Sequence, residues 1–179
     1  MEYHLNLPAS SEEIKKLRVG DIIYVSGMVF TARDEAHHTM LSAEKKDMPF
    51  DPSEMALYHC GPLMKETKDG WEVISAGPTT SSRMEIFEDK FIEKFGINLI
   101  IGKGGMGKNT QKALQKYICV YTSYTGGAGA LAADKVEQVK GVHWLDKLGM
   151  PEAVWLFKVK EYGPLVVAMD SHGESIYKR

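Results

Sequence analysis

Ala76-Gly77-Pro78-Thr79-Thr80-Ser81-Ser82-Arg83-Met84 and Gly102-Lys103-Gly104-Gly105-Met106-Gly107 are glycine-bearing turns, each following an apolar run and each opening onto a helical pattern. The run before the first is Trp71-Glu72-Val73-Ile74-Ser75, and the run before the second is Ile97-Asn98-Leu99-Ile100-Ile101. Strand, glycine turn and helix start is the local geometry that presents backbone N–H groups to an anion. The first turn adds hydroxyls and Arg83, and the second adds lysines. Either turn alone reads equally as an ordinary connection in an α/β domain. Two in succession, both cationic, point to a site for an anionic small molecule.

The surrounding chain has 179 residues, 44% hydrophobic and 26% charged, the composition of a globular domain with a real core. A net charge of −2 gives no sign of a nucleic-acid or membrane-surface partner, so any basic site must be local. The N-terminal residues lack the basic and apolar segments of a signal peptide, and no run approaches the ~20 apolar residues of a membrane span. Cys60 and Cys119 lie far apart, which fits a reducing cytoplasm. Two cysteines without a Cys-x-x-Cys spacing are too few to hold an iron–sulfur cluster unaided.

Taken in order, Met1 to Pro8 reads as an edge strand, and Ser10 to Leu17 as a short capped helix with serines ahead of glutamates. Asp21 to Ala32 is the strongest strand pattern, with Gly27 marking a bulge or close approach. A helix is predicted from Arg33 through Leu41, with Ala36 and Met40 inward. Its adjacent His37 and His38 cannot both face one metal, and His59 belongs to another element, so no metal site is assigned. His37 is expected to sit at the core edge, bonded to backbone. Ala56 to Pro62 reads as a short strand with a Gly-Pro stop, and Lys65 to Gly70 as a polar turn. Met84, Phe87, Phe91, Ile92 and Phe95 share one helical face, and Gly96 ends that helix. A second helix spans Gly107 to Tyr117, then a buried strand Ile118 to Thr122, then a small-residue helix after Gly126-Gly127. Ala153 to Val159 and Leu165 to Asp170 are expected as two strands joined through Lys160-Glu161-Tyr162-Gly163-Pro164, with a last short strand at the C-terminus.

Two motifs suggest other chemistry. Gly102 to Lys108 is one residue short of a phosphate-binding P-loop, with Leu165 to Asp170 as a candidate magnesium strand, but Asn109 replaces the hydroxyl that would bind Mg²⁺. A nucleotide-binding module built on this loop is the reading from another functional class. Gly127-Ala-Gly129-Ala-Leu-Ala132 matches a loose dinucleotide fingerprint in the wrong βαβ order.

Five motifs occur in sequence: Thr31-Ala-Arg33-Asp34-x-Ala36-His37, Tyr58-His59-x-Gly61-Pro62, Ala76-Gly77-Pro78-Thr79-Thr80-x-x-Arg83-Met84, Ile101-Gly102-Lys103-Gly104-Gly105-Met106 and Gly149-Met150-Pro151-Glu152-Ala153. Together they resemble the beta subunit, or C-terminal domain, of class I iron–sulfur fumarate hydratases and the related L-tartrate dehydratases. The resemblance runs from about Asp21 to the C-terminus. It implies a single domain, 1–179, of the swivelling β/α/β type with a mixed sheet, where composition and spacing alone reach only α/β. It also implies a partner, an alpha subunit that carries a [4Fe–4S] cluster on its own cysteines, and a small dicarboxylate substrate bound between the two parts. By the same resemblance Arg33, Arg83 and Lys103 bind substrate carboxylates, a role that suits the fork of arginine. Thr79 matches the family's hydroxyl residue, either as part of the acid–base machinery or as an orienting group. Asp34 orients Arg33 or caps the following helix, and His37 supports the same loop from behind. The expected activity is interconversion of (S)-malate and fumarate, only in company with the alpha subunit. The alternatives are L-tartrate as substrate and a non-catalytic dicarboxylate-binding scaffold.

Overall fold

The β-branched and aromatic run ending at Thr31 forms the strand around which the others assemble. The structure, a computed structural model, describes residues 1–124 and 129–177. Its strands are β1 (Glu2–Asn6), β2 (Ile22–Thr31), β3 (Ala56–Tyr58), β4 (Leu63–Thr67), β5 (Gly70–Ser75), β6 (Leu99–Gly102), β7 (Val120–Tyr124), β8 (Val136–His143) and β9 (Val154–Met169). The helices are α1 (Ser11–Lys16), α2 (Asp34–Ser42), α3 (Glu85–Phe95), α4 (Lys108–Tyr117), α5 (Gly129–Asp134) and α6 (Leu145–Leu148).

On one edge β2 pairs in parallel with β1 through Ile22–Ser26 and then with β3 through Val29–Thr31. Gly27 sits at the change of partner with φ +133°, and a Cβ there would lie 2.8 Å from the Leu7 Cβ, so no side chain fits where β1 peels away. The other edge of β2 pairs antiparallel with β9. The ladder β2–β3–β6–β7 is parallel, β7–β9 is antiparallel, and β9 returns to β2, which closes a ring of pairings. Alternation along these strands separates two cores. Val29, Ile101, Val120 and Phe157 fill one face with Trp155 and Tyr58. Their neighbours Phe30, Ile100, Tyr121 and Leu156 pack on the other, beneath Ala36 and Met40 of α2, Phe91, Ile92 and Phe95 of α3, and Leu114 of α4. Each large side chain fully buried there contributes about 1.5–3 kcal/mol. The result is one domain of mixed α/β content.

Most predicted elements are present at their expected places. Ser10 caps α1 in a complete capping box with Glu13, and Gly96 ends α3 at φ +67°. Four points differ from these expectations. Ala153 to Asp170 is one continuous strand, β9, rather than two. Its first half pairs with β8 and its second with β7, and Pro164, which has no N–H to offer, falls in the interval between those partners. Trp71 to Ser75 is a strand, but it belongs to a separate two-stranded sheet with β4. Lys65 to Thr67 extends β4 instead of forming a turn. At the C-terminus Ser175 makes only an isolated bridge to Met169, with no strand among the described residues. The small-residue helix is α5, and the expected turn before it, with Gly127 of the dinucleotide-like match, lies outside the described residues.

Gly102 to Gly107 does join a strand, β6, to a helix, α4, as its pattern predicts, but the anion position is already filled. Glu85 Oε2 accepts from Gly107 N at 2.7 Å and from Thr110 Oγ1 at 2.6 Å, and Oε1 accepts from Asn109 N at 3.1 Å and Thr110 N at 3.2 Å. A carboxylate from α3 therefore takes the helix N-terminus that a nucleotide phosphate would need. Asp170, the candidate magnesium ligand, is buried and accepts from the backbone N–H groups of Val19, His172 and Glu174. Glu85→Ala is expected to lower unfolding free energy by about 1–2 kcal/mol, the value of a lost cap, in urea titrations. Mg–ATP is expected to leave the melting temperature of the wild-type chain unchanged.

Candidate active site

Arg33, Thr79, Arg83 and Lys103 sit on segments gathered at the C-terminal ends of the parallel strands β2, β3 and β6, the end of an α/β sheet where ligands bind. Arg33 follows β2 directly and stands at the start of α2. The Ala76–Met84 stretch crosses the ends of β3 and β6. Pro78 bridges Cys60, Thr79 N donates to His59 O at 2.8 Å, and Thr80 bridges Lys103. Ser81 N donates to Lys103 O at 3.0 Å, and Lys103 N donates back to Ser81 Oγ at 3.1 Å. Gly102 is required at this crossing, because a Cβ there would lie 1.9 Å from Ser81 Oγ.

Each arginine is held by a carboxylate. Arg83 Nη2 donates to Thr79 Oγ1 at 2.8 Å, and its Nε lies 3.4 Å from Asp34 Oδ2. Asp34 therefore orients Arg83 rather than Arg33, because its side chain reaches forward from the first turn of α2 to the neighbouring segment. The Nε of Arg33 lies 3.3 Å from Glu152 Oε1, an ion pair without hydrogen-bond geometry, and Glu152 Oε2 accepts from Glu35 N at 3.0 Å. A Cβ on Gly61 would lie 2.5 Å from Arg33 Cδ and 2.9 Å from Pro151 O. The Gly61-Pro62 and Pro151-Glu152 segments thus form the two walls and the anion that seat Arg33. Lys103 is exposed and has no ion pair among the described residues.

Beneath these segments lies a polar cluster in which His37, His59, Ser81 and Glu88 are all fully buried. Glu88 Oε2 lies 3.2 Å from His37 Nε2 and 3.0 Å from His59 Nε2. His37 Nδ1 lies 2.8 Å from the Arg33 carbonyl, and His59 Nδ1 lies 2.8 Å from Ser81 Oγ. The Tyr121 hydroxyl is 3.0 Å from Ser81 Oγ and 2.8 Å from the Gly104 carbonyl, with one proton between them. Burial pushes the Glu88 carboxyl up, but the facing His59 and His37 outweigh it and hold it down to about 2. Burial pushes His59 down by more than Glu88 raises it, so His59 is neutral and its Nδ1 accepts from Ser81. His37 does bond backbone, as its sequence position predicts, but it also faces a charge. Glu88 carries one signal in the sequence: it lies four residues after Met84 and three before Phe91, inside the apolar stripe of α3. His59, Ser81 and Glu152 carry no such local signal. Those residues acquire their partners only across the fold.

The donor atoms of His37, His59 and Glu88 lie within 4.8 Å of one another, a metal-like spacing. Both imidazoles converge on one carboxylate oxygen at hydrogen-bond distance, which is the geometry of shared protons. Cys60 and Cys119 are free, buried and in different cores, with their thiols pushed up by burial. They do not fit the ligand set of an iron–sulfur cluster.

The folded-state Glu88 carboxyl titrates below its ordinary value of 4.5, so its contribution to stability is complete above 4.5 and is lost as pH falls toward about 2. Unfolding free energy should decline through that window, and Glu88→Gln should flatten the decline. Gly61→Ala should displace Arg33 and destabilise the chain by about 1–3 kcal/mol, the cost of overpacking, as read by chemical denaturation.

Residues 1–179 match the model of the family described as Fumarase C-terminus. The chain is 49% identical to the "Putative L(+)-tartrate dehydratase subunit beta" of Methanocaldococcus jannaschii, covering 99% of this chain and 92% of the relative. It is 43% identical to the L(+)-tartrate dehydratase subunit beta of Escherichia coli K12, covering 98% of this chain and 87% of the relative. It is also 42% identical to the "Putative fumarate hydratase class I" of Geobacillus stearothermophilus, over 97% of this chain but 33% of that longer protein.

Proposed function

The chain belongs to the Fumarase C-terminus family, as a beta subunit of the class I fumarate hydratase and L-tartrate dehydratase kind, and from this we propose that it is the substrate-seating half of a hydro-lyase acting on a four-carbon 2-hydroxydicarboxylate, interconverting (S)-malate and fumarate. The observation that carries the proposal is the gathering of Arg33, Thr79, Arg83 and Lys103 at one end of the parallel ladder, with Thr79 and Lys103 on hydrogen-bonded neighbouring segments. Two guanidinium groups and an ammonium supply the cations that a dicarboxylate requires. Asp34 and Glu152 hold the arginines in place until substrate carboxylates compete for them.

Dehydration removes a proton from the carbon beside a carboxylate, so negative charge develops there. Preorganised cations stabilise that charge more in the transition state than in the ground state. Arg83 donates to Thr79 Oγ1, and a donor of this charge favours the deprotonated hydroxyl, the direction a proton-transfer role requires. The same contact leaves the hydroxyl proton free to reach substrate. The swivelling β/α/β assignment and a cytoplasmic location belong to this proposal. Supporting them are the closed ring of pairings, two free buried cysteines, and the lack among the described residues of any helix long and apolar enough to cross a membrane.

The [4Fe–4S] cluster of such enzymes is assigned to an alpha partner, since this chain's cysteines do not fit it. This chain's own contribution is to bind the carboxylates and handle the proton. L-Tartrate is the second reading, favoured by the names of the relatives at 49% and 43% identity.

Anaerobic reconstitution with the candidate alpha subunit, iron and sulfide tests both. Fumarate absorbance should rise from (S)-malate, whereas loss of L-tartrate alone would transfer the assignment to the second reading. This chain by itself should be inactive. Arg83→Ala and Lys103→Ala should each lower kcat/KM by about 10²–10³, the scale of a lost charge-stabilising donor, with melting temperatures retained. Near-normal rates in both variants would remove these residues from the site.

A further inference from the structure

We propose that Glu88 is a positioning residue for this site, whose buried carboxylate holds His37 as a doubly protonated imidazolium and His59 as a single donor, and through them fixes the backbone carrying Arg33, Thr79 and Lys103. A carboxylate and a backbone carbonyl only accept hydrogen bonds. His37 Nε2 faces the Glu88 carboxylate at 3.2 Å, and His37 Nδ1 faces the Arg33 carbonyl at 2.8 Å, so both ring nitrogens of His37 must donate. His59 Nε2 donates to the same Glu88 oxygen at 3.0 Å, while its Nδ1 takes the Ser81 proton. The cluster thus holds one cation and one anion without a solvent-exposed atom to relieve either. The other Glu88 oxygen has no hydrogen-bond partner among the described residues, so the two imidazoles meet the charge there.

Among the described residues the surroundings supply no substitute. Asp34 acts on His59 from the start of α2 but lies against Arg83, and Arg33, which meets the cluster through its backbone carbonyl, has its guanidinium against Glu152. From the side of β7 come the Cys119 thiol and the Tyr121 hydroxyl, both pushed up by burial with Glu88 adding to the effect, and both therefore neutral.

The same bonds reach each proposed substrate ligand through its backbone. His37 holds the Arg33 carbonyl. The residue whose carbonyl accepts Thr79 N is His59 itself. Ser81, which donates to His59, accepts Lys103 N. One carboxylate on α3 therefore sets the relative positions of segments from three strand ends. A misplacement of 1 Å at reacting groups costs about 100-fold in rate, so a change at Glu88 should be felt at the substrate without any direct contact.

Two arms test this, and only the second rests on the dicarboxylate reading. The first is long-range ¹H–¹⁵N correlation spectroscopy of the histidine rings in the full chain at neutral pH. His37 should show protons on both nitrogens and His59 on Nε2 alone. In Glu88→Gln, whose amide can donate to His37 Nε2, His37 should change to its Nδ1–H form. A singly protonated His37 in the wild type overturns the proposal, as does one equivalent of zinc bound on both Nε2 atoms. In the second arm, Glu88→Ala in the reconstituted complex should lower kcat/KM by about 100-fold. Glu88→Gln, which keeps hydrogen-bonding groups in place, should recover most of that loss, and His38→Ala, at the exposed neighbour, should match the wild type. Wild-type kinetics in Glu88→Ala would overturn the positioning role. If the wild-type complex turned over no dicarboxylate, the functional reading would fail, and the ring spectra would still decide the state of His37.

Discussion

A single carboxylate enclosed by apolar side chains organises the end of this molecule where the proposed site lies. Glu88 projects from a helix whose neighbouring inward residues are Phe91, Ile92 and Phe95, where an unpaired charge would be prohibitive. It is tolerated because two imidazole N–H groups reach the same oxygen. Those imidazoles come from the start of α2 and the end of β3, so meeting the charge draws these elements together. The stabilisation is conditional: buried pairs of this kind are weak as net stabilisers but costly to break. Their value here lies in fixing geometry, since each imidazole also has a second bond to the segments that carry the cationic side chains.

The strand framework makes this possible. β2 pairs with β1 and β3 on one edge and with β9 on the other, and the ladder closes back on itself through β9. Closure pairs the five ring strands on both sides and leaves the open edges of this sheet, among the described residues, to β1 and β8. It also sets the carboxyl ends of β2, β3 and β6 side by side, and the segments leaving them meet in a small space. Glycines are needed where they crowd: Gly61 lets Arg33 pass, and Gly102 admits the Ser81 hydroxyl. Bulky chemistry is thus concentrated at the ends of the strands, while their middles are committed to the two cores.

The two cationic turns with which the sequence attracts notice have different fates in the fold. Thr79, Arg83 and Lys103 do belong to one neighbourhood, and the hydroxyls beside them divide the work: Thr79 faces Arg83, and Ser81 turns inward to His59. The lysine-rich turn opens a helix as its pattern suggests, yet Glu85 occupies that helix terminus. No local pattern shows this, because the capping carboxylate comes from the preceding helix, 22–25 residues away. The same blindness explains β9. A Gly-Pro pair within a strand pattern reads as an interruption, and only the switch of its neighbour from β8 to β7 explains why the proline is harmless there.

The sequence by itself determined the elements whose signals are local: the capped α1, the apolar stripe and glycine stop of α3, the long strand β2, and the order of five motifs that carries the family. It also singled out Arg33, Arg83, Lys103 and Thr79, the cationic side chains and the hydroxyl on which the proposed carboxylate site rests, since residue type alone limits what can bind a carboxylate. Only the tertiary structure decided which carboxylate restrains which arginine, that Asp34 serves Arg83 while Glu152 serves Arg33, and that His37 and His59 share Glu88. The physical reason is separation along the chain. Hydrophobic period, caps and turns act within one or two helical turns, whereas the charge balance of a buried site is settled between groups 29 to 51 residues apart, by whichever partners the closed sheet brings within hydrogen-bond reach.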